Sequence, residues 1–266
     1  MRAEKKGLPR LACNTVALWA LAGPAPCAAY APLSRTATEL VTAFRQTPVF
    51  WKQYRVAQQI VSLKDPSVLP QLSSYLTDQD RHTRANAAFI FAALGDTRGL
   101  NSLLEIMNDQ SYRRIGQAYM RFECLIPQHE TRCPYDPQLQ IESDRYYAAS
   151  VLGDLKDPRA VPALISVLNV PSVNLGAIWS LAKIDDKRAV GPLIALLAMN
   201  DPTVQVTAIR ALEKMDAKES IPALYRLVND KDRSHVDDLM PVGEVARQAL
   251  AQLGAPWSWF AYPGGR

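Results

Sequence analysis

Apolar residues fall at i, i+3, i+4 and i+7 in short segments that return at a nearly constant interval. RAVPALISVL (159–168) and RAVGPLIALL (188–197) lie 29 residues apart, and ESIPALYRLV (219–228) follows 31 residues later. Upstream, SVLPQLSSYL (67–76) and RGLNSLLEIM (98–107) are also 31 apart. The spacing puts Val161, Leu164, Ile165 and Leu168 in one stripe on a helix, and Val190, Leu193, Ile194 and Leu197 in the same stripe one repeat later. Only Ser73 breaks the pattern badly. A second series alternates with the first: ANAAFIFAALGD, RYYAASVLGDL, VNLGAIWSLAKI, TVQVTAIRALEKM and EVARQALAQLGA. Its alanines and glycines let paired helices approach closely. Short turns join the two series, and Asp65, Asp96, Asp157, Asp186 and Asp216 stand where a carboxylate can accept the free N–H groups of the next helix. Pro70, Pro162 and Pro222 fall in or near first turns, where a missing N–H is tolerated.

A helical hairpin of about 30 residues cannot bury its apolar stripe alone, so such units stack. The pattern predicts an all-α fold, an α-solenoid of about six hairpins over 30–256. The repeated LGD/LKD-x-R-A-V-P-A-L phrase resembles the short HEAT-like repeats of phycobilisome lyases, most strongly over 150–228. That resemblance concerns the scaffold and implies no bilin-specific residue here.

The third hairpin is interrupted. Leu100 and Val161 occupy equivalent positions 61 residues apart, so about one repeat of extra chain lies over 111–141. RRIGQAYMRFECLI (113–126) reads as an amphipathic helix, and PQHETRCPYDPQLQ after it shows no period. This insertion contains Cys124 and Cys133, for which three readings compete. As C-x4-H-x3-C with His129 they offer three zinc ligands, one short of a structural tetrahedron. They can also be two inert thiols. A disulfide closing a ten-residue loop fits an exported chain and contributes about 2–3 kcal/mol in the chain-entropy model. The disulfide is the expectation, with no metal and no cofactor.

Export is expected from the first 29 residues. The basic MRAEKKGLPR precedes the apolar LACNTVALWALA, then GPAP and the small residues CAA, which is the order of a signal peptide cleaved after Ala29. The apolar run is about 12 residues, too short to cross a bilayer, so the mature chain is expected to have no transmembrane helix. The location expected is periplasmic or extracellular. Arg2, Lys5, Lys6 and Arg10 outweigh Glu4 by three of the four net positive charges, so the remainder carries too little for a footprint on phosphate. Nucleic acid is not an expected partner.

Candidate chemistry is sparse. HEAT-repeat hydroxylases bind di-iron through several His-Glu pairs, whereas this chain has the single pair His129-Glu130 and two histidines, His82 and His235, without a neighbouring glutamate. No Gly-rich phosphate loop, G-x-S-x-G or H-E-x-x-H is present. No catalytic residue is therefore assigned. Polar residues of the second-series helices that point away from the core are expected to line a concave binding face: Arg55, Arg84, Arg145, Tyr146, Asn174, Gln205, Arg210 and Arg247. Trp179 reads as core. The tail 257–266 carries Trp257, Trp259 and Phe260, either as a cap on the last repeat or as an anchor for a partner. The function expected is a non-catalytic, protein-binding scaffold of the cell envelope; the alternative is an enzyme or enzyme accessory of the HEAT-like lyase or hydroxylase kind.

Overall fold

The structure is a computed structural model and describes residues 36–112, 137–234 and 240–255. The described helices form one compact unit, Ala37–Arg266; Met1–Thr36 is a second unit, described only at Thr36. Among the described residues the unit is built of helices paired as six hairpins. The pairs are α1 (Ala37–Gln46) with α2 (Phe50–Ser62), α3 (Leu69–Leu72) with α4 (Arg81–Ala93), and α5 (Thr97–Asn108) with α6 (Pro137–Leu155). They continue with α7 (Val161–Ser166) and α8 (Asn174–Ile184), α9 (Val190–Leu196) and α10 (Pro202–Lys214), and α11 (Ile221–Leu227) and α12 (Val242–Gln252). Each even-numbered helix packs on the next, from α2 through α12, and makes an inner layer. The odd-numbered helices cover its other side, as a solenoid requires. No helix among the described residues is long and apolar enough to cross a membrane.

The apolar stripes meet between the layers. Phe44, Ile60, Leu72, Phe91, Leu103, Ile106, Leu152, Leu164 and Ile178 are fully buried in one continuous core. Small residues set the closest approaches: a Cβ on Gly99 of α5 would stand 2.2 Å from the Ala88 carbonyl oxygen of α4. Ser73 ends α3 outright, and the chain continues in a 3-10 turn over Ser73–Thr77.

One device closes four of the five inter-hairpin turns. The inner helix ends on a left-handed residue, Lys64, Gly95, Lys156 or Asp185, with φ of 54°, 91°, 53° and 59°. The aspartate that follows is extended, and its carboxylate accepts the backbone N–H two residues on, at 2.9 Å in Asp65, Asp96, Asp157 and Asp186 alike. The fifth turn differs from expectation. Asp216 is itself the left-handed residue (φ 47°), and Ala217 stands at the capping position without a side-chain bond. A short polar side chain tolerates that conformation, so the aspartate has moved from one role to the other.

Helix α6 also departs from the sequence pattern. It begins at Pro137, about two turns before DRYYAASVL, and so takes in the last residues assigned to the insertion. Its added turns carry Gln140, fully buried, and lead to Asp144, 1% exposed. Burial of polar side chains there removes the apolar period by which a helix is recognised.

Candidate functional site

The residues expected on the binding face divide by position in the repeat. Arg84, Arg145, Asn174, Gln205 and Arg247, with Gln53, which the sequence pattern does not single out, stand once in each inner helix, in the first turn except for Arg145 and Arg247, which lie in the middle of α6 and α12. Four of the six close the hairpin onto the end of the outer helix, while Asn174 accepts the N–H of Leu175 in its own helix at 2.8 Å. Gln53 Nε2 donates to the Phe44 carbonyl at 3.1 Å, Arg145 Nε to Met107 at 2.8 Å and Gln205 Nε2 to Leu197 at 3.1 Å. Arg247 donates through Nη1 to the Val228 carbonyl and through Nη2 to Glu244. These bonds satisfy carbonyls that a helix end leaves without an internal partner. Arg84, Arg145, Asn174 and Gln205 are buried at 5–8% exposure and do not line an open face. That corrects the expectation, and for Arg145 and Gln205 the cause is the end of the outer helix, whose carbonyl each side chain reaches.

Arg55 and Tyr146 are exposed, and Arg210 is half-buried between Glu213 and Gln248, at 3.0 and 2.9 Å. Trp179, expected in the core, is 39% exposed on α8, close to the 44% of Tyr146. Cys124, Cys133, His129, Glu130, His235, Trp257, Trp259 and Phe260, with the signal segment, lie outside the described residues.

Two connected clusters on α2, α4, α6 and α8 were not legible from local sequence. The first is buried. Asp80 caps α4 by accepting the His82 N–H at 2.9 Å, which places Arg81 and His82 in the first turn facing α6. Arg81, 1% exposed, donates from Nη1 to Asp144 at 3.0 Å, and from Nη2 to Asp109 at 2.5 Å and the Ser111 carbonyl at 2.6 Å. His82 Nδ1 lies 3.3 Å from the other Asp144 oxygen. The imidazole packs against the rings of Phe50, at 4.2 Å, and Tyr147, at 4.7 Å, which themselves meet edge to face at 5.1 Å. Burial pulls the His82 imidazole down to about 3, so it is neutral at ordinary pH; the charge of Asp144 is met by Arg81. At Asp109 burial works against ionisation, but hydrogen bonds from Ser111 and then Arg81 prevail and hold the carboxyl at about 2.

The second cluster is open to solvent on the inner-layer face. Tyr54 of α2 donates to Asp154 of α6 at 2.6 Å, and Lys183 of α8 donates to the other oxygen at 2.7 Å. Burial, and next the bond to Asp154, push the Tyr54 phenol well above its ordinary value, so it stays a donor. Its ring packs on Phe89 at 5.1 Å and lies 6.3 Å from that of Tyr147. The Tyr147 hydroxyl donates to Asn86 at 2.5 Å, and Asn86 Nδ2 donates to the Phe50 carbonyl and Gln53, both at 2.9 Å. Trp179 stands one turn before Lys183 on α8. The face thus offers aromatic surface, one carboxylate and a lysine side by side. No group of three or more metal-ligating side chains occurs among the described residues.

Comparison with known proteins gives these clusters a context. A stretch of 70 residues, 24% of this chain, is 46% identical to the bilin biosynthesis protein PecE of Nostoc sp., of which it covers 28%. The PecE of Mastigocladus laminosus is 45% identical over 71 residues, 24% of this chain and 26% of that protein. The chain therefore spans about a quarter of the length of the curated relatives it matches. Among solved structures, the complex of CpcE and CpcF of phycocyanin lyase from Nostoc sp. matches 72% of this chain and 66% of its own, with TM-score 0.46 and 22% identity. An engineered protein matches 82% of this chain and 96% of its own, with TM-score 0.42 and 17% identity. The PecE relatives overturn the expectation of a non-catalytic envelope scaffold. The repeat sequence is shared with proteins of bilin biosynthesis, and the enzyme or enzyme-accessory alternative is the one they fit. The model of HEAT repeats matches residues 37–120, 142–200 and 169–238, well over half the length, and the chain belongs to that family.

Proposed function

We propose that this chain is an enzyme, or the accessory subunit of one, that acts on a bilin, and that the bilin lies on the open face of α2, α4, α6 and α8. The observation that carries the reading is the 46% identity over 70 residues to a bilin biosynthesis protein. The chemistry of the face agrees with it. A bilin is an open-chain tetrapyrrole: a flat conjugated body with pyrrole N–H donors and carboxylate side chains. Trp179, Tyr146 and Tyr54 supply ring surface, on which such a body stacks. Lys183 is placed to meet a carboxylate. Asp154 accepts N–H donors, and Tyr54 and Lys183 fix its two oxygens before any ligand arrives, so little reorganisation is needed on binding. In this reading the chain's residues bind, orient and exclude water on one side; a protein partner, as expected from the solenoid, completes the enclosure.

The test is a titration of the purified chain with biliverdin, followed by absorbance in the red. Saturable binding is expected, weakened about tenfold by Trp179→Ala and by Lys183→Ala, on the order of 1.4 kcal/mol for each. Spectra that change only linearly with biliverdin, with no saturation, refute the proposal.

A further inference from the structure

We propose that Arg81 heads a coupling network that joins the root of the interrupted third hairpin, at Asp109 and Ser111, to the open-face carboxylate Asp154, so that whatever engages the one end changes binding at the other. The regulated site is the bilin face, and the ligand half of the test below rests on that reading.

The path is continuous in described side chains. Arg81 holds the Ser111 carbonyl and Asp109 with one nitrogen and Asp144 with another. Asp144 faces His82 at 3.3 Å, and the His82 ring packs against both Phe50 and Tyr147. Tyr147 meets Tyr54, which donates to Asp154, which in turn accepts from Lys183. Helix α6 runs in parallel with this path, because Asp144, Tyr147, Val151 and Asp154 follow one another on a single helical face.

Two properties make this more than adjacency. The Arg81 and Asp144 side chains are 1% and 0% exposed, so a lost partner is not replaced by water, and a partly satisfied buried network is poorer than either a complete or an absent one. Its arrangements are therefore discrete. The Asp109 end, by contrast, is 20% exposed and reaches solvent where the extra chain begins, so an event there can act on it. A buried network of this kind with one accessible arm can carry coupling between sites, and the cycles below measure whether it does.

Double-mutant cycles on the full chain decide the matter. Asp109→Asn weakens the accessible arm and Tyr54→Phe cuts the far end; the readout is the unfolding constant in urea. Independent distant sites combine as a simple product. Here the double variant is expected to depart from the product of the singles by about fivefold, while Asp109→Asn with Arg210→Ala, in which Arg210 lies off the path, follows the product within about twofold. Ser111→Ala, which removes the hydroxyl that accepts from Arg81 at 2.9 Å and donates to Asp109 at 2.6 Å, serves in place of Asp109→Asn should that variant fold poorly. A Tyr54 cycle that follows the product, or an Arg210 cycle that departs from it equally, overturns the network. Biliverdin titration of Asp109→Asn should then show a dissociation constant changed by threefold or more; an unchanged value overturns the regulatory role. Failure of the wild-type chain to bind biliverdin counts against the proposed function and leaves the cycles to judge the network alone.

Discussion

Replacing Arg81 by methionine keeps much of the side-chain volume and removes the charge. The Asp144 side chain, 0% exposed, would lose its cation in a place water does not reach. Breaking a buried ion pair from one side costs about 3–5 kcal/mol, because the charge left behind is uncompensated. The loss of the bonds to Asp109 adds less, since that carboxylate is 20% exposed and can hydrate. At a urea slope of about 3 kcal/mol/M, the R81M midpoint should fall by roughly 1–2 M with the slope unchanged. The decisive comparison is with R81M/D144L, which removes both charges. Apolar replacement of a whole buried pair is often neutral or better, so the double variant should recover to within about 1–2 kcal/mol of the wild type. Equilibrium denaturation followed by circular dichroism measures all three. Two results would refute the reasoning: an R81M loss under about 1 kcal/mol, or no recovery in R81M/D144L.

Gly99→Ala places a Cβ 2.2 Å from the Ala88 carbonyl oxygen and 2.3 Å from the Ala92 nitrogen, both backbone atoms that cannot step aside, so α4 and α5 must part. A loss of about 2–3 kcal/mol in chemical denaturation is expected. Acid should destabilise the fold in two stages. The unfolded chain protonates His82 near the ordinary 6.5, the folded chain only near 3, so that stability is complete above about 6.5 and declines as pH falls toward 3. Asp109, at about 2 against an ordinary 3.8, adds stability above about 3.8 that is lost between there and 2. The urea midpoint followed from pH 7 to 4.5 should fall, and His82→Gln should flatten that part of the curve; a midpoint constant over this range contradicts the assignment. The leader and the disulfide expected from sequence are checked together by intact mass: loss of residues 1–29, and two cysteines that alkylate only after reduction.

The hairpins were readable because each is a local statement: an apolar stripe, a turn and an aspartate within about 30 residues. Local reading fails wherever a side chain's neighbour comes from another helix. Arg84, Arg145, Asn174 and Gln205 point away from their own helix's apolar stripe, which made them look like a binding face; only the folded chain shows that they are buried. Asp144 was passed over for the opposite reason, since a charged residue carries no helical period even when it is fully buried. The two clusters join residues 63 positions apart at Arg81 and Asp144, and 100 apart at Tyr54 and Asp154. Trp179 shows the limit of composition: its apolar neighbours suggest core, yet the side chain is 39% exposed.

The bond that closes four of the hairpins is indifferent to the length of chain it spans. Gln205 reaches back 8 residues to its carbonyl, Arg247 reaches 19 and Arg145 reaches 38, and all three make the same bond. The junction between an outer and an inner helix is therefore a splice point: new chain entering there leaves and returns through ends that the repeat has already brought together. Growth at that edge need not disturb the stack, and a solenoid of this kind can acquire or shed a segment there in one genetic step.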